Sequence, residues 1–570
     1  MADIPETEMN RTHQNPLVSK FASSAAHVTG KLLVSAETGT WLAEHFTETL
    51  SEMKSLVDDM FLSGVNHVFY HGACYSPDEA GWPGWLFYAS TEMNPRNSIW
   101  RDVPALNDYV ARCQSILQSG KPDNDILLYW PIYDYWNDPT NELPPLKIES
   151  QQIWFENQPI GKTAHELWNR GYAFDYVSDR QLQSAKVIDG KIQMSGGTYW
   201  VIVVPECKLM PLETFKRLLA LVQGGAKLVM NTPPQDISGW GDLEKRRAEF
   251  KLLLMTMPRG GIENAFVIRS SFGKGVIFRG VSGNDSYPVQ TIVEPEEMPR
   301  DGLSFVRRSF DGGWNYFIVN RSETNFDGWV TLGRPAKSTV ILDPMTGNSG
   351  VAVTRQSAAN STKVHLQLAP GESIILRAFA NEEVKGPAWN YWQPSKKFVQ
   401  ITGPWNVKFI QGGPVLPADF QTTKLASWTT FADTNAQAFA GTAKYEINFD
   451  APQKINKRCF LSLGDVRQSA RVKLNGKDYG ALITPPFRVL VDNLKPKGNV
   501  LEVEVTSVAA NRIRDLDRRG VPWKKFHDIN FVNLNYEPFD AADWPLTDCG
   551  LLGPVTLTAV VLEQPASAGN

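Results

Sequence analysis

Apolar residues recur at helical spacing in three segments near the start of the chain, and each segment leads into a short apolar run. Leu17, Phe21, Ala25 and Val28 mark one face of a helix predicted over residues 16–30, with Gly30 suited to end it. Leu50, Met53, Leu56, Val57, Met60 and Phe61 mark a second over 47–64, and Leu106, Tyr109, Val110, Cys113 and Leu117 a third over 104–120. The runs that follow, at 32–35, 65–70 and 126–130, predict strands. Helices alternating with short strands imply a parallel sheet, and polar, aromatic loops after the strands fit the last half of a (β/α)8 barrel over residues 1–150. With an opening strand at 3–5, about four of the eight strands are supplied. Half a barrel exposes a strand edge and its inner face, so residues 1–140 are not expected to fold stably alone.

Beyond the barrel segment the pattern changes twice. Runs at 171–177, 199–205 and 224–230 with a helix at 211–223 predict a small doubly wound α/β domain over 160–260. No G-x-G-x-x-G opens its helices, which favours a structural role. After Gly260 short alternating runs, such as 314–319 and 363–368, take over between Gly, Asn, Asp and Pro, as in a β-sandwich spanning 261–382. A linker is expected over 386–397, and a jelly-roll over 398–563, where Asn475-Gly476 signals a hairpin turn. The tail 564–570 is expected to fray. The fold class is therefore multidomain, α/β followed by all-β.

Composition narrows the function. The 570 residues carry a net charge of −4, with no basic cluster, so nucleic acid is not an expected partner. No apolar run approaches the ~18 residues of a membrane span, and the first residues do not resemble a signal peptide, so the sequence itself carries no compartment address. Five scattered cysteines, Cys74, Cys113, Cys207, Cys459 and Cys549, imply neither a disulfide framework nor a zinc site. The 18 Trp, 16 Tyr and 28 Phe supply flat faces that sugars use for stacking and cores use for packing.

Candidate chemistry gathers at predicted strand ends. Glu37 follows the run 32–35 and precedes Trp41; in parallel sheets such a position faces the common crevice, although a solvated loop glutamate has the same pattern. His71 ends another strand, as a sugar ligand or as a core histidine. Trp41, Trp82, Trp85 and Trp136 either stack on sugar or pack, and Asp134 either binds hydroxyls or caps a turn. The cluster Arg512, Arg514, Asp515, Asp517, Arg518 and Arg519, followed by 523–528, reads as a carbohydrate loop, a salt-bridged surface or an interdomain contact.

Four stretches in order, Pro5-Glu6-Thr7-Glu8, Ser35-Ala36-Glu37-Thr38 with Trp41, His71-Gly72-Ala73-Cys74-Tyr75-Ser76-Pro77 running into Trp82-Pro83-Gly84-Trp85, and Tyr129-Trp130-Pro131-Ile132-Tyr133-Asp134, resemble the carboxyl-terminal part of the catalytic barrel of α-L-rhamnosidases of glycoside hydrolase family 106. Downstream, the α/β unit resembles the trimerisation-type domain of some β-galactosidases, and the last domain the galactose-binding-like jelly-roll of family 2 enzymes. The resemblance implies hydrolysis of terminal α-L-rhamnosides with inversion, in proteins that are usually periplasmic or secreted. It puts the general base on Glu37, a second active-site glutamate on Glu8 with Glu6 as its rival, and substrate contacts at His71, Trp41, Tyr75, Trp85 and Asp134. It also implies a Ca2+ ion, for which Glu8 is a suitable oxygen ligand. The family's general acid and first barrel strands have no counterpart here, so little or no activity is expected of this chain alone. A non-catalytic carbohydrate-binding protein and a β-galactosidase-type glycosidase are the alternatives.

Overall fold

A computed structural model describes residues 2–137, 145–258, 260–264, 266–280, 286–356, 361–453, 455, 458–563 and 565. The tail expected to fray therefore lies almost wholly outside the described residues. The first unit is a parallel sheet of three strands among the described residues, β1 (Glu6–Met9), β2 (Ser35–Thr38) and β3 (His67–Tyr70), in the order β1-β2-β3. Helices α1 (Pro16–Thr29), α2 (Leu50–Leu62) and α3 (Val103–Leu117) follow them. Local signals set the helix ends. The Asn15 side chain accepts the Leu17 N–H ahead of Pro16, and Gly30, with φ of 77°, closes α1 in the left-handed conformation a glycine adopts freely. Thr49 and Glu52 form a reciprocal capping box on α2.

The strands sit later than the apolar runs suggest. The opening strand is Glu6–Met9 and not 3–5, and the second is Ser35–Thr38 and not 32–35, so Glu37 stands inside its strand instead of just beyond it. The reason is burial: Leu32 is 60% exposed, whereas Val34, Ala36 and Thr38 are sealed against the helices.

A larger correction concerns Ile126–Tyr129, expected as a fourth barrel strand. It pairs in parallel with Phe174–Val177 on one side and Val201–Val204 on the other, inside a seven-stranded sheet. All three strands are buried on both faces, and a strand buried on both faces reads the same in a barrel as in a doubly wound sheet. That sheet continues through Lys227–Met230 to Gly275–Gly280, Val267–Phe272 and Gly261–Asn264, so residues expected to open a β-sandwich join the α/β sheet.

The remaining chain is antiparallel. A six-stranded sheet, five of its strands between Leu303 and Phe379 and the sixth the short edge strand Lys121–Pro122, shares with a three-stranded sheet from Phe326 to Leu368 an apolar core that includes Tyr316, Ile318, Val330, Val364 and Leu376. Further on, four- and six-stranded sheets share a second core around Trp405, Trp428, Tyr445, Val503 and Leu557. Asn475 (φ 51°) and Gly476 (φ 81°) make the hairpin turn between Ser469–Leu474 and Lys477–Leu482 with the two positive φ values a primed turn demands. Residues 386–397 are not all linker: Trp392–Gln400 pairs with Thr556–Leu562, its register breaking between Pro394 and Phe398. It is an edge strand of its sheet, where a proline costs no ladder hydrogen bond.

One buried cation joins the α/β part to the antiparallel part. Arg307, 2% exposed on the strand Leu303–Phe310, donates from Nε to Asp123, from Nη1 to Glu296 and from Nη2 to Asp125, each at 2.6 Å. Arg334 shares Asp123 and Asp125. Burial alone would raise the Asp123 carboxyl, yet the two guanidiniums hold it below its ordinary value. Removing a buried partner strands the opposite charges. Arg307→Met is therefore expected to destabilise the chain by about 3–5 kcal/mol, read as a lower urea midpoint; a loss under about 1 kcal/mol would show the cluster to be solvated.

Candidate active site

In β1 and β2 the partners in register are Glu6 with Ser35, Thr7 with Ala36, Glu8 with Glu37, and Met9 with Thr38; in β2 and β3 they are Ser35 with His67, Ala36 with Val68, Glu37 with Phe69. Register partners point to the same face, and alternate residues to opposite faces. One face, Thr7, Met9, Ala36, Thr38 and Val68, turns toward the helices, where Thr7 donates to Ser19 of α1 and Met9, Ala36 and Thr38 are fully buried. The other face carries two rows, Glu8-Glu37-Phe69 and Glu6-Ser35-His67. Phe69 is half exposed there and Glu37 keeps 41% of its side chain accessible.

Neighbours fix the Glu37 carboxylate. Thr40 donates to its Oε1 at 2.8 Å, and His71 Nδ1 stands 3.9 Å from the same oxygen. Burial lowers His71 below the ordinary imidazole value, and Glu37 only partly offsets this, so the ring is neutral at pH 7. Glu8 is pushed above its ordinary value, first by burial, then by the Glu37, Glu149 and Glu6 carboxylates. Glu6, its rival in the sequence, accepts Ser35 Oγ at 3.0 Å.

The rim comes from two distant parts of the chain. Trp41 donates from its indole N–H to the Tyr536 hydroxyl at 3.3 Å, and the Tyr88 and Tyr536 hydroxyls are 2.7 Å apart. Trp85 meets Phe526 edge-on at 4.8 Å and Tyr75 at 6.3 Å; Tyr75 is 76% exposed. Glu44 accepts the Leu534 N–H, while Phe46, Trp523, Phe531 and Phe539 pack as one cluster. The charged run preceding this segment forms the helix Ala510–Arg518. Arg512 reaches across to the first unit, 3.7 Å over the Trp82 ring, while Arg514 donates to the Trp544 carbonyl, Asp517 accepts the Trp523 indole N–H and Arg519 pairs with Asp515, all within the last domain.

Other sequence candidates fare unevenly. Trp41 is 8% exposed and edged by His45, Tyr88 and Tyr536, so its faces are engaged in packing. Asp134 caps a turn, accepting the Lys208 and Leu209 N–H groups at 2.8 and 2.6 Å. Trp136 sits beside Tyr133 on that side of the seven-stranded sheet, half exposed. Tyr88 and Tyr536 escape sequence reading, whereas Phe526 lies in the run 523–528 that follows the charged cluster; the one signal for Tyr536 is the irregular, aromatic-rich stretch of about thirty residues after Arg519, since long loops in compact folds tend to carry function. Calcium takes six to eight oxygen ligands. Among the described residues no group of three or more His, Cys, Asp and Glu side chains converges on one point.

Beneath Trp41 lies a set of buried ionisable groups. His45 Nδ1 is 3.7 Å from Glu92, whose two oxygens have no hydrogen-bond partner among the described residues. Burial brings His45 down to about 4 and lifts Glu48 and Glu92 well above the carboxylate range. An acid raised in the folded state contributes stability that is complete below its unfolded value near 4.5 and is lost as pH climbs toward its folded value. Glu92→Met is therefore expected to gain melting temperature relative to the unsubstituted chain between pH 5 and pH 8; a difference independent of pH would contradict the neutral carboxyl.

Three comparisons bear on these features. A family model described as alpha-L-rhamnosidase matches residues 3–354. A curated protein of Formosa agariphila, whose assigned name proposes a beta-glucuronidase, is 27% identical over 370 residues, 63% of this chain and 28% of that protein. The solved structure of a rhamnosidase from Novosphingobium sp. PP1Y is similar with a TM-score of 0.75 and 24% identity, over 98% of this chain and 51% of that one. The chain thus spans about half the length of the solved relative and about a quarter of the curated one.

Proposed function

The chain belongs to the α-L-rhamnosidase family of glycoside hydrolases, and from that premise we propose that the face bearing Glu8, Glu37 and Phe69 is the inner wall of a (β/α)8 barrel, its Glu37 end the base side of a site for terminal α-L-rhamnosides. The substrate class is a rhamnose-containing glycan. The observation that carries this reading is the register of Glu8 with Glu37 beside an exposed Phe69, since a parallel sheet with polar and aromatic side chains on an open face is otherwise hard to explain.

Inversion needs an acid and a base about 6.5–9.5 Å apart, with room for water between them, and retention about 5–5.5 Å. The backbones of adjacent strands lie about 4.8 Å apart, so Glu8 and Glu37 enter the site from neighbouring positions on one side of it. In this reading Glu37, open to water and oriented by Thr40, deprotonates the attacking water. Glu8, its carboxyl raised by burial, hydrogen-bonds a sugar hydroxyl, and His71 Nδ1 lies near the Glu37 carboxylate. The acid that protonates the leaving oxygen comes from outside these 570 residues, as the family resemblance implies. The later antiparallel units serve as a β-sandwich and a galactose-binding-like jelly-roll, the latter closing the rim with Phe526 and Tyr536.

Two outcomes are expected. The 570-residue chain should hydrolyse 4-nitrophenyl α-L-rhamnoside at under a thousandth of the roughly 10 s−1 usual for enzymes; turnover near that usual rate would overturn the division of acid and base. L-Rhamnose binding, measured calorimetrically, should weaken about tenfold or somewhat more in Glu37→Gln, the loss of one hydrogen bond to a charged group worth about 1.5 kcal/mol. Unchanged binding would place the sugar elsewhere.

A further inference from the structure

Away from the Glu37 face, α1, the helix Pro159–Asn169 and the strands Phe174–Val177 and Leu303–Phe310 enclose a cavity of about 180 Å3. Three cations line it, Lys20, Arg307 and Arg321, and among the described residues no carboxylate does. Arg307 is fully committed to Asp123, Asp125 and Glu296. Lys20 is not. It is 4% exposed, and its nearest carboxylate, Asp175, is 3.9 Å away.

Asp175 has nothing left to give it. Its Oδ1 accepts from Ser24 and His27, and its Oδ2 from Asn124 and Tyr199. Lys20 Nζ consequently makes no hydrogen bond among the described residues, which for a buried ammonium is costly. Burial lowers its pKa, with Asp175 only partly restoring it. A second donor is also unspent: Arg321 engages Ser55 and Asp59, while its buried Nε–H has no partner. Around these donors stand the rings of Trp168, Tyr172 and Phe174, with Lys20 Nζ 5.3 Å from the centre of the Phe174 ring.

We propose that this cavity is a binding site for a small monocarboxylate with an apolar ring, its carboxylate on Lys20 and its ring against Trp168 and Tyr172. Size limits the ligand to about one ring. Pockets for drug-sized ligands run to about 300–1,000 Å3, whereas a cavity of about 150 Å3 takes benzene. Inorganic phosphate supplies the charge but nothing for the aromatic wall, and a neutral ring leaves the ammonium unpaired.

Titration calorimetry of the full chain at pH 7 with benzoate, benzyl alcohol and inorganic phosphate tests this. Benzoate is expected to saturate one site, with benzyl alcohol and phosphate each at least tenfold weaker. Lys20→Met is expected to lose benzoate binding at least tenfold while keeping its circular dichroism spectrum. Absence of benzoate binding, equal binding of benzyl alcohol, tighter binding of phosphate, or full benzoate affinity in Lys20→Met would each overturn the proposal. Should Lys20→Met not fold, the three-ligand comparison on the unsubstituted chain decides alone.

Discussion

Parallel pairing of Glu6–Met9 with Ser35–Thr38 is the constraint on which the candidate site depends. The side-chain period of a strand is two, so a slip of one residue would turn Glu8 into the helix-packed layer and bring Thr7 and Met9 out. The buried side enforces the register: Met9, Ala36 and Thr38 are sealed against the helices, and burying a carboxylate there would cost far more than burying a methyl group. Apolar packing on one face thus aligns two carboxylates on the other.

A second dependence runs through the last third of the chain. Trp523, Phe531 and Phe539 pack with Phe46, and Tyr536 meets Trp41 and Tyr88, so the loops after β2 and β3 are braced by residues more than four hundred positions away. Bracing has an energetic cost in the same place, where His45, Glu48 and Glu92 are buried behind the rim and burial disfavours the charged form of each. Consistency between local preference and global fold commonly fails at functional sites, and this layer is the clearest such failure near Glu37. The Arg307 cluster is the opposite case, a buried charge whose partners are all present.

The three early helices and the order of α/β before antiparallel units were legible because helical period, caps and turn residues are local. Asn475-Gly476 is the plainest example, a turn written in two residues. Strand identity was less legible. Ile126–Tyr129 has the continuous apolar character of any strand buried on both faces, and nothing local distinguishes a barrel neighbour from Phe174–Val177. Glu8 and Glu37 became candidates through short motifs at predicted strand ends, and their alignment emerged only from the pairing. Asp134 had two readings that local sequence cannot separate, and the Lys208 and Leu209 amides decide for the cap. Tyr536 was out of reach, because its place at the rim depends on how separate sheets dock, and for the same reason the run holding Phe526 could not be assigned to Trp85.

The account stands on a sugar site at the Glu8–Glu37 row. The most direct measurement is a diffraction structure of crystals soaked in L-rhamnose. The account predicts electron density for the sugar against Glu37 and Glu8, within reach of His71 and below the Tyr88–Tyr536 rim. Sugar bound only on the antiparallel sheets beyond Trp392, with the Glu8–Glu37 face bare at saturating concentration, would contradict it.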